Sequence, residues 1–358
     1  MGDALRVGLV GIGNISGQYL ETLPRLPGVA LVAAADLDPT REVPGVRMMS
    51  PEALYAADDV DVVLNLTVPQ AHAEVALAAI EAGKHVYGEK PLALSTVEGQ
   101  SVLAAASAAG VRVGCAPDTV LGTGIQTARR CVDEGVIGTP VAATAFMVTP
   151  GHERWHPTPE FYYRPGGGPL FDMGPYYLTA LITLLGPVRR VTGLTSTPRA
   201  ERVIGRGPRA GTAFPVSTPT HVAGTLEHAS GALTTLMMSF DVWEANLPRI
   251  EVYGTAGSLS VPDPNNFSGE VHVFTPEAAG RPDSAGWTAV APSAGHRNAG
   301  RGIGLADLAE SLADGTDHRA SGALAYHVLD VMESLLRAAE EGTTQDIAST
   351  AERPAPVA

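Results

Sequence analysis

The sequence predicts a parallel α/β domain followed by an α+β domain whose sheet is mainly antiparallel. Three observations carry this. The chain has 358 residues, which suits two domains at roughly 150 residues each. Over the first third, short apolar runs alternate with helical stretches, the pattern of a parallel sheet covered on both faces. Beyond it, alternating apolar and polar stretches follow one another in series, separated by Gly, Pro and Asn/Asp clusters, as in hairpin-linked strands.

Taken in order, Leu5 to Val10 is a strand, then comes Gly11-Ile12-Gly13-Asn14-Ile15-Ser16-Gly17, and Gln18 to Leu26 turns helical. Val29 to Ala35 is a second strand ending at Asp36, and Val60 to Leu66 a third. Ala71 to Ala82 is an amphipathic helix closed by Gly83, and Thr96 to Ala109 another closed by Gly110. His85 to Tyr87 and Val111 to Cys115 are strands. The second domain starts near residue 121 with a helix from Ile125 to Glu134. Its strands fall at Val141 to Val148, His221 to Glu227, Ala232 to Phe240, Arg249 to Tyr253 and Glu270 to Phe274. Glu201 to Thr220 reads as a long loop or hairpin insert, and Leu305 to Leu312 and Ala323 to Glu341 as helices able to pack back on the first domain. The tail, 346–358, is polar with prolines and expected to fray.

Composition narrows the function. Hydrophobic residues make up 45% and charged residues 17%, so the chain buries a core rather than staying disordered. A net charge of −14 speaks against nucleic acid or an anionic membrane as partner, because both need a basic footprint. The N-terminus, Met1-Gly2-Asp3, lacks the pattern of a secretory leader, and Cys115 and Cys131 form no disulfide framework, which together point to the cytoplasm. Of the 24 basic residues only Lys84 and Lys90 are lysine. Arginine serves wherever charge alone is needed, so a surviving lysine can mark a site that must lose a proton. Lys84 reads as a solvated residue at a helix end.

Gly11-x-Gly13-x-x-Ser16 lies between a strand and a helix, the context a dinucleotide fingerprint requires. Gly11 permits the turn and Gly13 lets the backbone approach a pyrophosphate, with Asn14 and Ile15 leading into the helix N-terminus that receives the anion. Ser16 holds the third, usually glycine, position. Asp36 ends the second strand, where an acid accepts hydrogen bonds from the adenosine ribose and repels a 2′-phosphate. Leu37 beside it supplies no cation, so NAD is expected rather than NADP.

Thr67-x-Pro69-x-x-His72 follows the third strand, and Gly83-Lys84-His85-Val86-Tyr87-Gly88-Glu89-Lys90-Pro91 follows the next helix. With Gly166-Gly167-Gly168-x-x-x-Asp172-x-Gly174 and a late helix around His327, these stretches resemble the Gfo/Idh/MocA oxidoreductases over most of the chain. The resemblance implies a Rossmann domain, an α+β domain with an open sheet that forms homodimers or homotetramers, and hydride exchange between a nicotinamide and a sugar, sugar derivative or cyclitol. It implies that Thr67, Pro69, His72, Glu89, Lys90 and Arg164 serve the cofactor and that Lys90 is the catalytic acid/base. Alcohol oxidation needs a base for the hydroxyl proton, which a lysine of depressed pKa can be and an arginine cannot.

The chain departs from the family pattern at one point. Family members usually carry Asp-x-Gly-x-His, whereas here Asp172 is followed by Tyr176 in the histidine's place. A phenol titrates near 10, so Tyr176 can hold a hydroxyl or donate a proton but is a poor base. The alternative is a core aromatic. Asp172 then orients Lys90 or binds substrate.

Aromatic residues are only 5% of the chain, yet Trp155, Phe161, Tyr162 and Tyr163 cluster just upstream of Asp172. Aromatic planes beside polar groups suit a sugar, so Trp155, His156 and Tyr163 are candidate substrate residues. A lid or subunit contact is the rival reading. His152 and His156 stand four apart, but Pro157 argues for a loop without a third ligand, so no metal is expected. Asp118 lies beyond a strand end, to touch substrate or cap the following helix. Two further functions stay open: a redox-neutral NAD-using glycosidase or epimerase, and a nicotinamide-binding sensor without catalysis.

Overall fold

A computed structural model describes residues 4–276 and 286–358, so the Met1-Gly2-Asp3 reading lies outside the described residues. The chain divides into two compact units, Met1–Leu121 with His296–Leu329, and Gly122–Gly295 with Asp330–Ala358.

The first unit is built on a six-stranded parallel sheet. Its strands are β1 (Leu5–Val10), β2 (Val29–Ala35), β3 (Arg47–Met49), β4 (Val62–Asn65), β5 (His85–Gly88) and β6 (Val113–Cys115), in the order β3-β2-β1-β4-β5-β6. The order reverses between β1 and β4, and in such sheets ligands bind beyond the strands' carboxyl ends at this point. Val7, Leu9, Ala33 to Ala35 and Val62 to Leu64 are buried, as a sheet covered on both faces demands. The helices are α1 (Ser16–Thr22), α2 (Pro51–Tyr55), α3 (His72–Glu81) and α4 (Thr96–Ala109). Ser95 caps α4 by accepting from the Glu98 N–H at 3.2 Å, and Gly110 ends it in the left-handed region at φ 68°. Lys84 is not simply solvated: its ammonium donates to the Ala57 carbonyl at 2.8 Å, just past the end of α2.

The second unit opens with α5 (Thr123–Asp133) and β7 (Pro140–Val148), followed by α6 (Gly168–Leu185). Then come β8 (Val188–Ser196), β9 (Glu201–Val203), β10 (Ala213–Pro215), β11 (His221–His228), β12 (Leu233–Ser239), β13 (Ile250–Gly254), β14 (Ser258–Val261), β15 (Val271–Phe274) and β16 (Trp287–Val290). Later in the chain are α7 (Ile303–Asp314), which belongs to the first unit, α8 (Gly322–Glu341), along which the division between units falls, and β17 (Gln345–Asp346). The sheet order is β16-β15-β14-β13-β7-β12-β11-β8-β17, and among its described pairs only β7–β12 is parallel. β9 and β10 pair as the expected hairpin.

Alternation sorts the two faces of this sheet. Val191, Val222, Leu226, Leu236, Met238 and Ala145 point inward and are buried. On the other face Leu194, Ala223, Met237 and Phe146 lie in register across four strands. The tail departs from its expected fraying. Gln345–Asp346 pairs with β8, Val357 is buried, and its N–H donates to Gln126 Oε1 at 3.0 Å. Arg353 adds a bond to the Thr183 carbonyl at 2.7 Å and an ion pair with Asp133 at 2.6 Å. Apolar residues at 351 and 357 were the signal that the polar composition of the tail hid.

Candidate active site

In the first unit the glycine loop is fixed by geometry rather than by side chains. Gly11 has φ 97°, and a Cβ there would come within 2.8 Å of the Leu66 carbonyl and the Thr67 nitrogen. Only glycine fits. A Cβ on Gly13 would meet nothing within 4 Å, so its backbone faces open space of the kind a pyrophosphate needs. The Ser16 hydroxyl donates to the Gly13 carbonyl at 2.7 Å, which locks the turn into α1. Asn14 and Ile15 lie in this turn, ahead of α1's first residue.

Asp36 already has work within the protein. One carboxylate oxygen accepts from the Ile12 N–H at 2.6 Å and the other from the Asp38 N–H at 2.8 Å. Each carboxylate oxygen has acceptor capacity beyond one bond, so ribose hydroxyls can still be received. Leu37 is 90% exposed. A cation that the residues beside Asp36 did not disclose is Arg41, which donates to the Ile12 carbonyl at 2.5 Å and lies 3.5 Å from Asp38. Its guanidinium is thus committed to the glycine loop. Open space at Gly13, the turn at Gly11 and the carboxylate at Asp36 fit a dinucleotide.

The Thr67 and Glu-Lys-Pro segments are tied together by His72. Its imidazole is 3% exposed, with Nδ1 2.7 Å from the Pro91 carbonyl and Nε2 3.2 Å from the Thr67 carbonyl. Burial lowers its pKa, so the ring is neutral and can donate only once. The shorter contact makes Nδ1 the donor. His72 therefore braces the loop instead of lining it, a correction to the expected cofactor role that follows from its position at the buried start of α3. Asn65 completes the brace, donating to the His72 carbonyl at 3.0 Å and accepting from the Thr67 hydroxyl at 2.6 Å. Pro69 begins the short turn before α3.

Glu89 is 7% exposed and accepts from the Tyr19 hydroxyl at 2.8 Å and from the Lys90 N–H at 3.0 Å. Burial first, and the Glu89 charge second, push the Tyr19 hydroxyl well up, so it stays the donor. Lys90 follows at the carboxyl end of β5, half-buried, with a cis bond to Pro91. Asp118 is a correction. It is fully buried, and one oxygen accepts from the N–H groups of Gly302 and Gly304 at 2.8 and 3.1 Å. It caps α7, not the helix that follows it in sequence, and it presents no exposed carboxylate to a substrate. Burial raises its pKa.

In the second unit the loop from Gly151 to Arg164 and the start of α6 form a second cluster. His152 Nε2 lies 2.9 Å from Asp172 Oδ2. Trp155, Tyr162 and Phe240 surround the His152 ring with centroids 4.4 to 5.2 Å away. Trp155 is 52% exposed, whereas His156 is buried, its Nδ1 accepting from the Thr158 N–H at 3.1 Å. Desolvation lowers the His156 pKa. Tyr176 is buried one turn after Asp172 on α6. Arg164 is exposed at the end of the loop.

Tyr163 is corrected from substrate contact to buried post. It is fully buried, accepts the His152 N–H at 3.1 Å and donates to Glu153. Burial and Glu153 raise its pKa, so it keeps its proton. Beneath it Arg202, itself buried, pairs with Glu153 at 2.9 Å and Asp241 at 2.6 Å, and Asp241 accepts from the Thr220 hydroxyl at 2.5 Å. Glu153, Arg202 and Asp241 escape a reading of the sequence because they meet from three distant segments. His152 had a signal, its four-residue spacing from His156, which the sequence raises only as a metal pair and Pro157 argues against.

A dinucleotide-binding α/β unit with a Glu-Lys-Pro segment at its strand ends, followed by an α+β unit built on a nine-stranded sheet, defines an NAD-binding oxidoreductase. The pattern of the "Oxidoreductase family, NAD-binding Rossmann fold" matches residues 5–116, and that of the "GFO/IDH/MocA C-terminal domain" matches 125–260. The chain belongs to the Gfo/Idh/MocA oxidoreductases. It is 29% identical over 267 residues to a 1,5-anhydro-D-fructose reductase of Ensifer adhaerens, covering 71% of this chain and 74% of that one. It is 38% identical over 149 residues to inositol 2-dehydrogenase 3 of Saccharopolyspora erythraea, covering 39% of this chain and 44% of that one. Levoglucosan dehydrogenase in complex with NADH and L-sorbose shares the fold at TM-score 0.80 and 22% identity, over 97% of this chain and all (100%) of that one. Among the described residues no helix is long and apolar enough to cross a membrane.

Proposed function

We propose that this enzyme is an NAD-dependent dehydrogenase or reductase acting on a secondary alcohol of a sugar, sugar derivative or cyclitol, with Lys90 as acid/base. The observation that carries the reading is the bracing of Glu89-Lys90-Pro91 by Tyr19 and His72 at the carboxyl end of β5. A side chain fixed there sits at the edge where open α/β sheets bind ligands. Gly11, Gly13, Asn14, Ile15, Asp36, Leu37, Thr67, Pro69, Glu89 and Arg164 would hold the dinucleotide, whose nicotinamide supplies hydride exchange when bound. Lys90 takes the hydroxyl proton as the carbon loses hydride, and returns it in the reverse direction. Asp172, Trp155 and Tyr176 hold the substrate, the indole covering an apolar C–H face and the polar groups its hydroxyls. The relatives named for anhydrofructose and inositol support this substrate class.

The buried Tyr176 in place of a histidine favours one second reading, a redox-neutral enzyme that oxidises a sugar transiently and returns the hydride before release. Lys90→Ala with NAD affinity retained separates outcomes. Loss of turnover by about 10²–10⁴-fold supports the role of Lys90, and unchanged turnover removes it. Product formed without net NADH marks the redox-neutral reading.

We propose a cytoplasmic location and a homodimer or homotetramer; the assembly is supported by the exposed Leu194 and Leu233 and the partly exposed Met237 and Phe146 on the outward sheet face. Light scattering of the purified chain tests this, and a monomer contradicts it.

A further inference from the structure

We propose that His152, paired with Asp172, supplies the imidazole that Tyr176 fails to provide and accepts the proton released when the substrate alcohol is oxidised. The inference rests on the dehydrogenase reading. In the step, the alcohol carbon gives up its hydride, which the nicotinamide would receive when NAD⁺ is bound, the proton released from the hydroxyl comes to rest on His152 Nδ1, and the carbon–oxygen bond becomes a carbonyl.

Four observations support it. Asp172 Oδ2 lies 2.9 Å from His152 Nε2, so the carboxylate holds the proton on Nε2 and leaves Nδ1 as the basic nitrogen. His152 Nδ1 is buried and has no hydrogen-bond partner among the described residues. A buried acceptor left unmatched is costly, and a substrate hydroxyl or relayed proton would satisfy it. Third, the ring is held in place by its neighbours. The groups facing it are Asp172 from α6, Trp155, Tyr162 and His156 from its own loop, and Phe240 just past β12. Its backbone N–H is anchored on Tyr163, which in turn stands on the Glu153–Arg202–Asp241 cluster. An orienting carboxylate, a fixed tautomer and a rigid support are what a general base requires. Fourth, residues four apart on a helix share a face, so Tyr176 stands where a helical partner of Asp172 would stand. The imidazole reaches Asp172 from the loop instead of from the helix.

The test combines turnover with a spectroscopic readout. His152→Asn is expected to lose about 10²–10⁴-fold in turnover with little change in KM, and His152→Gly to recover at least about tenfold on adding free imidazole. Adding Tyr176→His to His152→Asn is expected to restore part of the loss. A purely structural histidine would show none of these rescues. Turnover of His152→Asn within about threefold of the parent overturns the inference. Nitrogen NMR of histidine-labelled protein decides independently of activity and of variant folding. An unprotonated Nδ1 that takes up a proton as pH falls from about 9 to about 5 supports the pair, and a proton on Nδ1 throughout overturns it. A parent enzyme with no turnover on any alcohol would sink the dehydrogenase reading, leaving the NMR result to decide His152.

Discussion

The two units hold their functional groups by different means. In the first, three short stretches carry almost everything: Gly11 to Ser16, Thr67 to His72, and Glu89 to Pro91. Each is fixed by main-chain geometry or by one buried side chain within tens of residues. In the second, His152, which pairs with Asp172, is anchored through Tyr163 on an ion cluster assembled from Glu153, Arg202 and Asp241, which come from a loop, a hairpin strand and the segment just past β12. The first unit binds a ligand whose shape is constant, so a local motif suffices. On the reading proposed above, the second faces the substrate, and its support is spread over distant segments of the fold.

This contrast can be broken most sharply at Arg202. Replacing it with Met leaves Glu153 and Asp241 buried without their cation, so a loss of about 3–5 kcal/mol in unfolding free energy is expected, measured by urea titration. Turnover should fall with it while NAD affinity holds. Equal loss of NAD affinity would show that the two halves are not separately supported.

Next in size is Gly11→Ala. The positive φ adds about 1–3 kcal/mol of strain, and the Cβ collides with the Leu66–Thr67 backbone. NAD affinity by fluorescence titration should drop at least about tenfold, with the Asp172 cluster untouched.

Asp36→Ser should have a smaller effect, raising the NADP-to-NAD preference by about tenfold, because it removes both the acceptor for ribose and the repulsion of a 2′-phosphate. It also frees the Ile12 N–H, so the glycine loop loosens. An unchanged preference would move cofactor choice to Arg41.

The smallest effect is on acid stability. Burial lowers the pKa of His72 in one unit and of His228 in the other. The unfolded chain binds protons at both below about pH 6.5, and the folded chain resists doing so. Stability is therefore fully present above that pH and falls as pH drops through it. The thermal midpoint should decline from about pH 7.5 to about pH 5.5, and His228→Gln should flatten that decline.

Legibility followed the same division. The parallel sheet, its helices and the Glu-Lys-Pro segment could be read because they repeat locally: apolar runs, glycine stops, fixed spacing. What failed was the burial of particular side chains. Asp118 and Tyr163 carry the chemistry of site residues, yet Asp118 caps α7 across 184 residues of sequence separation, and Tyr163 stands on Glu153 inside the second unit. His72 braces rather than lines its loop because it begins a buried helix turn. The tail escaped for the opposite reason, since two small apolar residues dock a segment that is polar overall. Pairings set by distant residues have no local spacing to betray them.

We propose above all that this chain moves hydride between NAD and a sugar or cyclitol alcohol. The most direct measurement follows absorbance at the NADH band, with purified protein, NAD⁺ or NADP⁺, and a panel of sugars, inositols and anhydrosugars, and analyses the same tubes for product. The band is expected to grow with at least one polyhydroxylated compound, faster with NAD⁺ than with NADP⁺, with stoichiometric ketone. A flat trace across the panel, with no compound altered, would contradict it.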